Sequence, residues 1–284
     1  TGVVGASVTT MGTLSLPHML KRGYDKKLAS GIIITGGGLG VLIPPSIMII
    51  VYAPNAGVSV GTLFMSVPIP GLILSAAYTI YVLVRSYINP NVGPPISPED
   101  RKKAFESVGV FGLLTSLIPP LFIIIAVLGS ILFGIASPTE AAAVGVIAAL
   151  LLAFVYGKLN LENIKTSLND TLTTTSMILT TTVGALMFIS TFTSMGGQDV
   201  VERFINSLPF GQWGILCLMI ITVIILGMFL DWIGIVYLVV PLFTPIAIDL
   251  GFDIVWFSTI MILFLQLSYI TPPFALSIWG SLTR

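Results

Sequence analysis

Charge is scarce in this chain: only 8% of its 284 residues are Asp, Glu, Lys or Arg, and the 12 basic and 12 acidic side chains cancel. It holds a single cysteine and a single histidine. Each shortage excludes something. A neutral chain with no basic patch argues against nucleic acid as a partner. One thiol, Cys217, permits neither an internal disulfide nor a cysteine metal cluster. His18 has no His, Cys or acidic neighbour at ligand spacing and reads as an interfacial or packed histidine. A phosphate-cradling Gly-x-x-x-x-Gly-Lys-Ser/Thr loop is absent, and so are a Gly-x-Ser-x-Gly elbow and a His-Glu-x-x-His pair. What remains is apolar: 55% of residues are hydrophobic and the mean hydropathy is +1.04. No charge falls between Lys27 and Arg85, between Glu106 and Glu140, or between Asp253 and Arg284. A membrane helix needs about 20 apolar residues, so these stretches are expected to lie in lipid.

Apolar runs cover residues 1–20, 28–54, 67–88, 108–133, 141–156, 171–195, 213–250 and 256–282. The expected class is an all-α polytopic membrane protein. Three runs are interrupted: the second by Gly36-Gly37-Gly38-Leu39-Gly40 followed by Pro44-Pro45, the seventh at residues 227–234 around Asp231, the last by Pro272-Pro273. Freed backbone groups are tolerated at membrane depth only where protein or a watery cavity satisfies them, so a break is either a packed kink or part of a site. Residues 89–106 read as a Pro-rich charged loop, and residues 160–169 as a short polar segment along the interface. The seven threonines in residues 171–182 are expected to bond their own helix backbone or a neighbouring helix.

Shifting the chain against itself by 228 positions aligns Gly23-Tyr24-Asp25 with Gly251-Phe252-Asp253, Pro44-Pro45 with Pro272-Pro273, and Pro17 with Pro245. Lys21, Arg22, Lys26 and Lys27 flank the first Gly-aromatic-Asp turn, whereas Asp249 and Asp253 flank the second. The excess of basic residues puts the first turn in the cytoplasm. If residues 213–250 form a re-entrant hairpin, counting spans puts the second turn on the other face. That is an inverted-topology repeat with re-entrant hairpins and discontinuous helices. A complete duplication would extend past both ends, so both ends are expected to be truncated, with Thr1 at the tip of a first hairpin.

Several motifs then carry a resemblance: Thr1-Gly2-Val3-Val4-Gly5-Ala6-Ser7, Lys21-Arg22-Gly23-Tyr24-Asp25, Gly40-Val41-Leu42-Ile43-Pro44-Pro45-Ser46, Ser137-Pro138-Thr139-Glu140-Ala141-Ala142 and Phe229-Leu230-Asp231. In this order, and over essentially the whole chain, the sequence resembles the large membrane subunit (M subunit) of tripartite ATP-independent periplasmic (TRAP) transporters, in the ion transporter superfamily. The resemblance implies a multi-pass protein of the bacterial inner membrane. It implies sodium-coupled uptake of a small organic acid delivered by a periplasmic binding protein, a small membrane subunit as partner, and an elevator mechanism. Na+ is the implied coupling ion, and no organic cofactor is implied. Residues 1–66 would then be the transport-domain part of repeat 1, residues 67–168 connecting and scaffold helices, and residues 169–284 the transport-domain part of repeat 2. The resemblance places one sodium site at Thr1, Val4, Gly40, Ile43 and Pro45. The repeat places a second at Gly227, Ser268, Thr271 and Pro273. Substrate-binding positions would be Gly2, Pro44, Ser46, Asp231 and Pro272. The chain has Thr1-Gly2-Val3 where the family often has Ser-Gly-Ser.

The residues suit that chemistry. Sodium needs several oxygens, and an unwound helix supplies carbonyls that no helix uses, while a half-helix beginning at proline exposes amide donors. Asp231 is an acid inside an apolar run and is expected to meet a cation, a proton or a polar substrate group. Glu140 is expected to cap a helix start. Ala141, Gly145 and Ala149 recur every four residues, as close helix packing requires. Ser190, Thr191, Thr193 and Ser194 suit a polar pathway and backbone satisfaction equally. Competing functions are an ion channel, an ion-coupled anion symporter without a binding protein, and an intramembrane enzyme using Ser7, His18 or Asp231.

Overall fold

A computed structural model describes residues 4–273. Helices and turns are the only elements among the described residues. The N-terminal part contains α1 (Val4–Lys21), α2 (Lys26–Leu39), α3 (Ile47–Asn55), α4 (Val60–Ser66) and α5 (Pro68–Ile88). Next come α6 (Pro98–Leu132), α7 (Pro138–Val155), α8 (Leu161–Ser194) and α9 (Gly197–Ser207). The chain continues through α10 (Gln212–Phe229), α11 (Trp232–Asp249) and α12 (Ile254–Leu265) into a 3-10 turn, Gln266–Tyr269. Five helical stretches among the described residues are long and apolar enough to cross a membrane: Val60–Ile88, α7, α8, α10 and α11. The protein is an all-α polytopic membrane protein.

The two Gly-aromatic-Asp turns have the same geometry. Gly23 and Gly251 both have φ of 83°, a left-handed conformation that a Cβ disfavours. Gly23 N–H donates to Leu20 C=O at 3.0 Å and Tyr24 N–H to Met19 C=O at 3.1 Å. In the second turn Gly251 donates to Ile248 at 2.9 Å and Phe252 to Ala247 at 3.0 Å. Each aspartate caps the next helix: Asp25 Oδ1 accepts from the Lys27 and Leu28 amides, and Asp253 Oδ1 from Trp256 N–H at 2.8 Å. Replacing Asp253 with alanine is expected to cost about 1 kcal/mol. The protein in detergent would then melt about 2–4 °C lower, and an unchanged melting temperature would remove the cap from the stability account.

The core gathers around α11. Ten of its residues are buried, whereas none of α8 is. Tyr52, Phe257, Met219, Ile235 and Leu265 are each at most 1% exposed and bring α3, α10, α11 and α12 together. The outer faces of α5, α7 and α8 carry exposed Leu, Ile, Met and Phe, the surface expected against lipid rather than water. Trp213, Phe252 and Trp256 cluster beside the second turn with ring centroids 5.4–6.0 Å apart, an arrangement suited to a membrane interface.

Several boundaries differ from expectation. The polar residues 160–169 do not form a separate interfacial segment. Asn160 accepts from Asn163 N–H at 2.7 Å and starts α8, which runs through them. The charged loop ends at residue 97, because α6 starts at Pro98, a residue pre-shaped for a first helical position. Gly109, with φ of 61° and ψ of 168°, breaks α6 inside what reads as one continuous span. The helix α9 follows a left-handed Gly196 and was not anticipated. On α7 the packed stripe is Ala141, Gly145 and Ala148 rather than Ala149, which is exposed. A Cβ on Gly145 would lie 2.9 Å from Val127 Cγ2, so α6 approaches there.

Candidate transport site

At the first interruption α2 tightens before it ends. Gly40, Val41 and Leu42 donate three residues back, to Gly37, Gly38 and Leu39, at 3.2, 3.1 and 3.0 Å. The Pro44-Pro45 bond is cis, and Ser46 then caps α3 by accepting from Ile49 N–H at 3.4 Å. Two prolines and a cap residue cannot donate into a continuing helix. No donor among the described residues therefore reaches the carbonyls of residues 40–45.

The second interruption repeats this pattern. After the 3-10 turn, Ile270 N–H donates to Leu267 C=O at 3.0 Å, the counterpart of the Leu42 to Leu39 bond. Pro272-Pro273 is also cis. Ser268 Oγ donates to Leu265 C=O at 2.7 Å and Thr271 Oγ1 to Leu267 C=O at 2.6 Å. Both hydroxyls thereby keep oxygen lone pairs free to accept or ligate. The carbonyls of Ser268, Tyr269, Ile270 and Thr271 take no hydrogen bond from the described residues.

The hairpin α10–α11 turns at Leu230 and Asp231, and α10 rests directly on the second break. A Cβ on Gly227 would lie 2.8 Å from Ser268 Cβ and 3.1 Å from its Cα. Gly227 and Ser268, assigned to one ion site from the sequence, are thus in contact. Asp231 is the residue before α11. Its carboxylate faces the Trp232 and Ile233 amides without closing a capping bond, and lies within electrostatic reach of Tyr269 in the break. Its buried Oδ1 has no hydrogen-bond partner among the described residues.

The other assigned positions sort as follows. Val4 opens α1 and is 2% exposed, so its backbone rather than its side chain would serve a ligand. Ile43 is 40% exposed. Pro44 and Pro45 in the first break, and Pro272 and Pro273 in the second, occupy the matched cis steps. Ser46 is fully buried, with its hydroxyl oxygen used as a cap and its proton left to donate. Thr1 and Gly2 lie outside the described residues. Glu140 forms a capping box with Ser137, at 2.7 Å through its own carboxylate. Thr171, Thr173, Thr180, Thr181 and Thr191 donate to carbonyls four residues back, and Ser194 to one three back, which is backbone satisfaction.

Gln266 was missed. It is fully buried, and neither of its amide heteroatoms has a partner among the described residues. A Cβ on Gly38 would sit 3.5 Å from Gln266 Nε2. Positions 38 and 266 are equivalents in the 228-residue register, so the two broken helices meet where their sequences correspond. The available signal was a lone amide inside an apolar run just before a double proline.

Residues 1–282 match the family described as the tripartite ATP-independent periplasmic transporter, DctM component. A C4-dicarboxylate TRAP transporter large permease of Pseudomonas aeruginosa is 29% identical over 96% of this chain and 62% of its own length. An ectoine TRAP transporter large permease of Halomonas elongata is 30% identical over 99% of this chain and 64% of its own length. A sialic acid TRAP transporter large permease of Vibrio cholerae is 29% identical over 95% of this chain and 61% of its own length. The chain thus spans a little over three-fifths of the length of these relatives, which are permease components and not enzymes. The match over residues 1–282 assigns this chain to the DctM family of large membrane components of tripartite ATP-independent periplasmic transporters.

Proposed function

We propose that this protein is a sodium-coupled carrier that takes up a small organic acid across the bacterial inner membrane. A periplasmic binding protein delivers the substrate, and a small membrane subunit works alongside. The observation that carries this reading is the pair of matched breaks, each ending in a double proline with main-chain carbonyls left unpaired among the described residues. Such oxygens can replace the hydration shell of a cation, and the amides that open the following half-helix favour an anion. One sodium ion would bind at Thr1, Val4, Gly40, Ile43 and Pro45. A second would bind at Gly227, Ser268, Thr271 and Pro273. The organic acid would lie between them against Gly2, Pro44, Ser46, Asp231 and Pro272.

The opposite charge flanking the two Gly-aromatic-Asp turns supports an inverted repeat. Contact between positions 38 and 266 is what an axis relating the two halves would produce. On this reading residues 1–66 and 169–284 move together as the transport part, while residues 67–168 connect and brace, in an elevator motion. The substrates named for the relatives, a C4-dicarboxylate, ectoine and sialic acid, support a small organic acid as cargo without choosing one.

Uptake of labelled organic acids into proteoliposomes holding the full-length complex tests the proposal. Accumulation is expected to saturate and to vanish without either an inward sodium gradient or the binding protein. Accumulation independent of both would overturn the mechanism, and flux that never saturates would indicate a channel.

A further inference from the structure

A groove runs between α2 and α5. It consists of two cavities of about 270 and 310 Å3 that share Ile32, Thr35, Tyr78 and Val82 as walls and so form one channel along the helix pair. Its two ends differ in chemistry. The outer end holds Lys27, Arg85 and Tyr81, together with Asp25. Asp25 is already occupied, since its Oδ1 takes the Lys27 and Leu28 amides at 3.0 and 3.1 Å. The inner end is walled by Gly36, Leu39, Ser75 and Leu83 and carries no charge. The outer end is also held in shape: Asp25 N–H donates to Val92 C=O at 3.0 Å, and Pro94 Cγ stands 3.8 Å from where a Gly23 Cβ would be. The chain after α5 is thereby folded back onto the Gly-Tyr-Asp turn.

Dimensions select the occupant. From Lys27 to Leu39 a helix rises about 18 Å, close to one leaflet of a hydrocarbon core about 30 Å thick. An extended acyl chain is thin enough, and its polar head would emerge where the two cations stand. Lys27 offers a point charge and Arg85 a planar fork, a pair suited to a phosphodiester. An inorganic anion alone would leave the apolar inner end unfilled.

We infer that this groove binds one anionic phospholipid, with its phosphate between Lys27 and Arg85 and one acyl chain along Ile32, Gly36 and Leu39. The ligand is neither the transported acid nor the coupling ion, and its retention is read without any measurement of uptake.

Native mass spectrometry of the full-length chain in mild detergent, titrated with phosphatidylglycerol or phosphatidylcholine, tests this. One phosphatidylglycerol is expected to bind about tenfold more tightly than phosphatidylcholine, and K27Q/R85Q is expected to erase that preference. No preference in the wild type, or the same preference in the double variant, would overturn the assignment. Competition by inorganic phosphate at matched concentration would also overturn it, in favour of a free-anion site. A second measurement needs no variant: phosphatidylglycerol carrying a diazirine on its acyl chain, irradiated with the wild-type protein in membranes, is expected to label residues 32–39 or 75–83. Labelling confined to other helices would reject the groove as the binding place.

Discussion

Replacing Gly227 with alanine is expected to cut uptake at least about tenfold and to lower the melting temperature of the purified protein. Helix propensity alone predicts the opposite, because alanine is better than glycine by about 1 kcal/mol in a helix interior. The contact decides the sign. The added Cβ would lie 2.8 Å from Ser268 Cβ and 3.1 Å from its Cα, atoms fixed to the backbone of the second break, and no side-chain rotation can clear them. Overpacking of this kind costs about 1–3 kcal/mol, more than the propensity gain. Relief comes only by moving α10 away from the 3-10 turn, and a binding constellation has to be held within about 0.5 Å of its productive geometry. Gly184→Ala is the matched control: a Cβ there meets nothing within 4 Å, so only the propensity term acts and uptake is expected to persist. Wild-type uptake by Gly227→Ala would show that the hairpin arm does not position Ser268.

The legible parts of this fold were those where the backbone itself demands particular residues. A left-handed turn needs Gly23 and Gly251, a helix start takes Asp25 and Asp253, and the two Pro-Pro steps that are cis each follow a helix end, whereas Pro119-Pro120 runs within α6. These positions gave the 228-residue register from sequence, and the structure places matching turns and matching breaks on them. Asp231 marked the hairpin tip because a charge in an apolar run has few places to lie. Signals that depend on context were lost. The start of α8 looked like interface because polarity and helix formation are independent once Asn160 caps it and the threonines bond their own carbonyls. The helix α9 is amphipathic, with Val200, Val201, Phe204 and Ile205 on one face, and a reading by long apolar runs passes over such a short mixed segment, while the break in α6 rests on one glycine, Gly109, among several that are merely helical. On α7 a spacing of four was followed one step too far: a turn of 3.6 residues carries the stripe from Gly145 to Ala148. Gln266 escaped because a single amide has no motif. Only its burial beside Gly38 and the lack of any partner set it apart. That Gly227 and Ser268 lie together was legible only through the repeat and the family likeness, since no local pattern links residues so far apart in sequence.

Asp231→Asn is expected to leave folding intact and to reduce uptake by about tenfold to a hundredfold, the range of one to two hydrogen bonds to a charged group. Asparagine has the same shape and is as good a residue before a helix, so α11 keeps its start. What changes is the charge. In the wild type one carboxylate oxygen is buried without a hydrogen-bond partner among the described residues at the tip of the α10–α11 hairpin, close to Tyr269 and the unwound segment that follows α12. A charge inside an apolar run needs a cation or a strong donor, and Oδ1 receives neither from the described residues. Removing the charge takes away that cost from the empty protein, so its melting temperature is expected to hold or rise even as transport falls. Opposite movement of stability and activity is the mark of a group kept for its ligand. Kinetics then identifies which ligand it is. If Asp231 attracts the coupling cation, the sodium concentration for half-maximal uptake rises while the substrate KM at saturating sodium stays near wild type. If it receives a polar group of the organic acid, the substrate KM rises and the sodium dependence keeps its midpoint. Unaltered uptake together with lower stability would make Asp231 a structural residue of the hairpin and remove it from the transport site.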